Sequence, residues 1–119
     1  WIGAQHEGPA TDQAPLIATC SQDSELGFVT VDREKLAALR NYVGSVAASA
    51  DGMRIGFTSP EGGATLVVDT SGKGQILQLQ PSVCGIAGRG NGFIESNENG
   101  DLDGQHHDRF WDNHIMRVA

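Results

Sequence analysis

Positive charge is scarce in this chain. It has 8 Lys and Arg against 15 Asp and Glu, a formal net charge of −7. Gripping a phosphate backbone requires clustered cations, so no nucleic-acid partner is expected. Long apolar runs are also missing: none approaches the roughly 18 residues of a membrane-crossing helix, and no membrane span is expected. Nothing at the start reads as a signal peptide. An initiator Met is lacking too, because the chain opens Trp1-Ile2-Gly3-Ala4, apparently inside a strand. The expectation is a processed product, a proteolytic fragment or an excised piece. Cysteine is limited to Cys20 and Cys84. One disulfide between them is formally allowed, and two thiols in unlike settings, one beside a loop and one in an apolar strand, is the plainer reading.

What the chain does have is glycine, 16 in 119 residues, between short apolar runs. That pattern suits a turn-dense β protein better than a helical one, and the length suits one domain with a core of its own. The clearest unit runs from Val43 to Gln80. Val43 to Ser49 reads as a strand, Asp51-Gly52 as a turn, and Arg54 to Ser59 as the second strand. Pro60-Glu61-Gly62-Gly63 turns into Ala64 to Asp69, and Ser71-Gly72 turns into Gln75 to Leu79. Four short strands with glycine-bearing turns predict an antiparallel meander, the blade of a propeller. Val43, Val46, Ile55, Phe57, Leu66, Val68, Ile76 and Leu79 are the expected apolar contacts of that blade, with alternate residues sharing a face.

The flanks read as partial versions of the same unit. Trp1 to Gln5 predicts the end of a strand, Pro15 to Thr19 a second and Leu26 to Val31 a third. Asp32 to Arg40 predicts one short helix, with Asp32 as its cap and Leu36 and Leu39 on one face. After Gln80 the pattern restarts. Ser82 to Ala87 resembles Val43 to Ala47, Asn91-Gly92 repeats Asp51-Gly52 forty positions on, and Phe93 to Ser96 echoes Ile55 to Thr58. A period near forty is that of a propeller repeat. Asn97 to Arg109 is too polar for an ordinary strand pair, so the outer strands there are expected to be degenerate or replaced by a loop. Trp111 to Val118 is strand-like again. The expected fold is all-β, a fragment of about two and a half propeller blades with one short helix. Residues 1–42 make a partial blade and the helix, 43–81 a complete blade, and 82–119 the last blade with the ring-closing strand, all within one propeller domain.

Tyr42-Val-Gly-Ser-Val46, Thr58-Ser-Pro-Glu-Gly-Gly63, Cys84-Gly-Ile86, Trp111-Asp-Asn-His-Ile115 and Gly3-Ala-Gln-His-Glu-Gly8 stand in an order and spacing that resemble the C-terminal part of the DUF1513 family. That resemblance covers essentially the whole chain. It implies an exported, periplasmic bacterial protein with a seven-bladed propeller of the YVTN/WD40-like type. The family has no established activity, and its members tend to occur beside imelysin-like proteins of iron acquisition. Glu61 departs from the Arg usual in the family, so no role of that Arg carries over. On this resemblance the chain is the last third of a ring. Its partners would be the rest of the same propeller or a protein of the envelope, and its open strand edges would seek pairing.

Three groups of residues are candidates for chemistry. Asn99-Gly100-Asp101-Leu102-Asp103-Gly104, followed by His106 and His107, alternates oxygen side chains before a glycine as the first half of a calcium loop does. The position for a bidentate Glu is Phe110, however, and a solvated acidic loop is the other reading; the histidines offer nitrogen donors to a transition metal. The entries of successive inner strands would bring Ser45, Cys84 and His114 toward one channel mouth. Cys84 and His114 are the expected metal ligands there, with Asp112 orienting the imidazole. The alternative makes Cys84 a small buried apolar residue and gives His114 and Asp112 backbone partners. Serine, histidine and aspartate are all available for a hydrolytic triad, yet no Gly-x-Ser-x-Gly elbow occurs. The function expected is therefore a non-enzymatic binding scaffold of the cell envelope, accessory to iron or other metal acquisition. A metal-binding protein or metal-dependent enzyme working at the channel mouth is the alternative, with a transition metal preferred over calcium.

Overall fold

Eleven short strands, one α-helix and a single 3-10 turn at Ala10–Asp12 are the regular elements among the described residues. In a computed structural model the described residues are 1–111, 115 and 118. Strands β1 (Ile2–Gly3), β2 (Ile17–Ser21) and β3 (Ser24–Phe28) form the first sheet, in that order. Helix α1 (Arg33–Ala38) leads to the second, in which β4 (Ser45–Ala48), β5 (Arg54–Ser59), β6 (Ala64–Asp69) and β7 (Gln75–Leu79) lie side by side. The third contains β8 (Val83–Arg89), β9 (Gly92–Asn97), β10 (Asp101–Leu102) and β11 (Gln105–His106), again in chain order. Every pairing is antiparallel. Three consecutive meanders stacked face to face are a propeller-like fragment, and among the described residues no sheet closes into a barrel.

The turns that separate these strands follow from side-chain chemistry. Asp69 Oδ1 accepts hydrogen bonds from Ser71 Oγ at 2.5 Å and Ser71 N at 3.0 Å, and its Oδ2 accepts from Gly74 N at 3.0 Å. One carboxylate thus folds the β6–β7 turn around itself, as aspartate does in Asx turns. Asp51 does the same between β4 and β5, accepting from Ser49 Oγ at 2.6 Å and Met53 N at 3.0 Å. These bonds, that from the serine hydroxyl foremost in each, hold both carboxyls below the ordinary aspartate value.

Two unlike seams join the sheets. Leu16, Ile17, Val31, Leu39, Val43, Ile55, Phe57, Leu66 and Val68 bury one another between the first two sheets and the helix. Trp1 meets Phe57 edge to face, with ring centroids 6.2 Å apart. Burying each such side chain contributes about 1.5–3 kcal/mol, so this seam is the main apolar core. Ser59 Oγ ties the helix to β5 by donating to Leu39 O at 2.7 Å.

The second seam is built from small and polar residues. Strand β8 lies across β4 and β5, and Gly56 leaves room for the Ile86 methyl, which would stand 2.5 Å from a Cβ placed there. Thr58 Oγ1 crosses the seam to Cys84 O at 2.7 Å, and Thr65 Oγ1 to Glu95 Oε1 at 2.5 Å. Backbone also bridges it, from Asp51 N to Gly90 O at 3.1 Å.

Several expectations need correction. The four strands read between Val43 and Gln80 are β4 to β7, and no helix interrupts them. Val43, Ile55, Phe57, Leu66 and Val68 are buried as expected, but Ile76 is 58% and Leu79 79% exposed, and Val46 is borderline exposed. Strand β7 forms the outer edge of its sheet, where only one neighbouring strand shields its side chains. Asp32 stands before the helix without capping it. Its carboxylate pairs with Lys35 Nζ instead, and its N–H donates to Gln75 Oε1 at 3.0 Å. The hairpin turn of the third sheet falls on Gly90 and Asn91 rather than Asn91-Gly92, since Arg89 pairs with Gly92. Gly90 takes φ +57° there, the conformation that a first turn position of this kind reserves for glycine.

Candidate functional site

The acidic stretch folds as a hairpin. Leu102 pairs with Gln105, and Asp103 and Gly104 between them have φ of 52° and 75°. Two consecutive positive φ angles are what a two-residue Asp-Gly hairpin turn demands. Asn97 organises the approach: its Oδ1 accepts from Asn99 N and Asp101 N, both at 3.0 Å, and its Nδ2 donates to Asp101 Oδ2 at 2.9 Å. The other Asp101 oxygen lies 2.9 Å from His106 Nδ1. The Asn97 bond and then the His106 contact hold the Asp101 carboxyl below its ordinary value. Asp103 turns away to Arg89, whose Nη1 is 2.5 Å from its Oδ2. His107 packs edge-on against Trp111 with centroids 5.6 Å apart, and Trp111 Nε1 donates to Gly100 O at 3.0 Å.

The structure therefore brings Asp101 and His106 together and sends Asp103 and His107 to different neighbours. Among the described residues, no three His, Cys, Asp or Glu side chains gather as a ligand set.

At the expected inner strands, Ser45 opens β4 and pairs with Thr58, while Cys84 lies near the start of β8. The Thr58 hydroxyl, on β5 opposite Ser45, joins that strand to β8 through the Cys84 carbonyl. Cys84 is buried, and its Sγ lies 3.3 Å from Ser82 O. Ser45 and Cys84 thus lie on the first strands of the second and third sheets, which pack against each other. His114 and Asp112, the other members of that group, lie outside the described residues. Cys20 is exposed, and no disulfide joins it to Cys84.

A further site was not anticipated. The outer part of the second seam opens into a cleft of about 200 Å³ lined by Arg54, Val67, Ile76, Gln78, Phe93 and Glu95. Pairing fixes its walls: Gly56, Val67 and Ile76 form one cross-strand row, and Thr58, Thr65 and Gln78 the next. On the opposite wall, Phe93 pairs with Gly88 and Glu95 with Ile86. Burial pushes the Glu95 carboxyl above its ordinary value, and the bond from Thr65 only partly offsets this. Period-two alternation from Gly92 places Phe93 and Glu95 on one face. Nothing local, however, shows that this face meets Val67 and Ile76.

A family model described as a protein of unknown function (DUF1513) matches residues 1–118. Comparison with curated proteins and with solved structures returns no match.

Proposed function

The chain belongs to the DUF1513 family, and from that membership we propose that it is a non-enzymatic binding scaffold of the bacterial cell envelope, accessory to iron or other metal acquisition. In this reading residues 1–42, 43–81 and 82–119 are successive blades of a seven-bladed propeller. The supporting observation is the outer face of the first sheet. Phe28 pairs with Ala18, which pairs in turn with Ile2, so these side chains share one face, and Leu26 follows at the register shift two residues before Phe28. Leu26 is 55% and Phe28 60% exposed there, with Ile2 partly open beside them. A contiguous apolar sheet face calls for a protein surface to cover it, either a preceding blade or an envelope partner.

The reading is tested in a bacterium carrying the gene. Deletion should slow growth on limiting iron, the parent gene should restore it, and a Leu26→Asp/Phe28→Asp gene should not. Fractionation should place the protein in the periplasm. Normal growth of the deletion strain would refute the iron role, and a cytoplasmic location would refute the envelope assignment.

A second reading, metal binding at the channel mouth, draws on Ser45 and Cys84 lying on the first strands of two packed sheets. Titration with Zn²⁺, Cu²⁺ and Fe²⁺ tests it beside Cys84→Ser and His114→Ala variants. Equal binding by the parent and both variants would eliminate it.

A further inference from the structure

The cleft between the second and third sheets holds charges of both signs at its two ends. Arg54 marks one end, where its Nη1 donates to Asn91 O at 3.2 Å, leaving four more guanidinium N–H groups for other acceptors. Glu95 marks the other, where Thr65 occupies its Oε1. Among the described residues neither side chain forms a close ion pair, and Glu95 Oε2, which is not fully buried, accepts no hydrogen bond from protein. Glu95 lies three positions along β9 from Gly92, beside the Asn91 carbonyl, a span of about 10 Å at strand rise. Val67, Ile76 and Phe93 supply the apolar walls between.

A simple anion at Arg54 would leave the Glu95 carboxylate unmatched, and a simple cation at Glu95 would leave the guanidinium with only its longer-range attraction to Asp51. A ligand with both charges, spaced by a hydrocarbon segment, satisfies each end and covers the apolar middle. We propose that this cleft binds a short linear zwitterion, with its carboxylate on Arg54, its ammonium on Glu95 and its aliphatic spacer against Val67, Ile76 and Phe93. The half-buried Glu95, whose carboxyl burial raises in pKa, is the group that an incoming ammonium would relieve. Charge-assisted bonds at both ends with a small apolar contact suit affinity in the millimolar range.

The probe is ε-aminocaproate, titrated into the full chain while resonances of Ile76 and Phe93 are followed by NMR. Saturable shifts at both residues are expected. γ-Aminobutyrate, too short to reach both ends, and hexanoate and hexylamine, each lacking one charge, should bind about tenfold more weakly. Glu95→Gln, which keeps an acceptor for Thr65, and Arg54→Gln should each weaken the probe about tenfold, whereas Asp12→Asn, paired with His6 beside the first sheet, should not. If Arg54→Gln fails to fold, Glu95→Gln and the ligand series decide. Absence of saturation in the parent, equal binding of hexylamine, or undiminished binding by Glu95→Gln would overturn the assignment.

Discussion

A methyl group added to Gly88 would overlap the backbone carbonyl oxygen of Ala48 and stand 3.0 Å from Ala50 N. Both atoms belong to β4 or the turn after it, and a backbone cannot rotate aside as a side chain does. Gly88→Ala must therefore push β8 away from β4, loosening the seam that Thr58 and Thr65 bridge. Gly56→Ala is the informative partner, because its methyl would meet the Ile86 Cδ1 at 2.5 Å and the Phe93 ring at 3.2 Å. Those are the free ends of side chains, able to change rotamer. Overpacking costs about 1–3 kcal/mol and occasionally more, offset by about 0.4–1 kcal/mol as alanine narrows the unfolded ensemble. Gly88→Ala should thus lose about 3 kcal/mol and Gly56→Ala about 1 kcal/mol. Urea unfolding followed by circular dichroism measures both. At a slope of about 1.5 kcal/mol/M, the first substitution should lower the midpoint by about 2 M and the second by less than half as much. An equal loss for the two, or a neutral Gly88→Ala, would refute the claim that backbone contact sets the spacing of this seam.

Three further outcomes are expected. Phe57→Ala should cost about 3–5 kcal/mol, because the ring is fully buried in the main core, and tryptophan fluorescence should shift to the red as Trp1 loses its edge contact; an unchanged spectrum would count against that packing. Thr58→Val should cost about 1 kcal/mol in the same urea assay by removing the hydroxyl that donates to the Cys84 carbonyl, and a neutral effect would show that the bond is not needed at the seam. The pH profile should bend in two places. Glu95 has a folded-state pKa above 4.5, so its contribution is intact below 4.5 and is lost as pH rises through the raised value. Asp51 and Asp69 lie below 3.8, so theirs is present above 3.8 and is lost as pH falls through the depressed values. Glu95→Gln should flatten the first bend and Asp69→Asn should weaken the second, as read by thermal unfolding across the range.

Local order was legible in the sequence wherever local chemistry decides it. Alternating apolar residues, together with Asp51-Gly52 and Ser71-Gly72 at the turns, specify hairpins, because strand pleat and turn φ angles involve only neighbours along the chain. The forty-residue repeat likewise announced a second meander. Asp101-Leu102-Asp103-Gly104, read as the outline of a calcium loop or a solvated acidic loop, forms a hairpin turn at Asp103-Gly104, with Asp101 and Asp103 bonded to different neighbours.

What the sequence left open was which face of each sheet meets which neighbour. Ile55 and Ile76 are equally apolar, yet one is buried in the first seam and the other stands at the mouth of a cleft in the second. Arg54 and Glu95 lie 41 positions apart in the numbering, and no local pattern marks them as two ends of one cavity. Burial and electrostatic environment depend on contacts between distant segments, so only the stacking of the sheets decides them. Strand, turn and repeat were therefore the sequence's own to determine, whereas the polar second seam, the exposed outer strand and the charged cleft exist only once the third sheet is laid against the second.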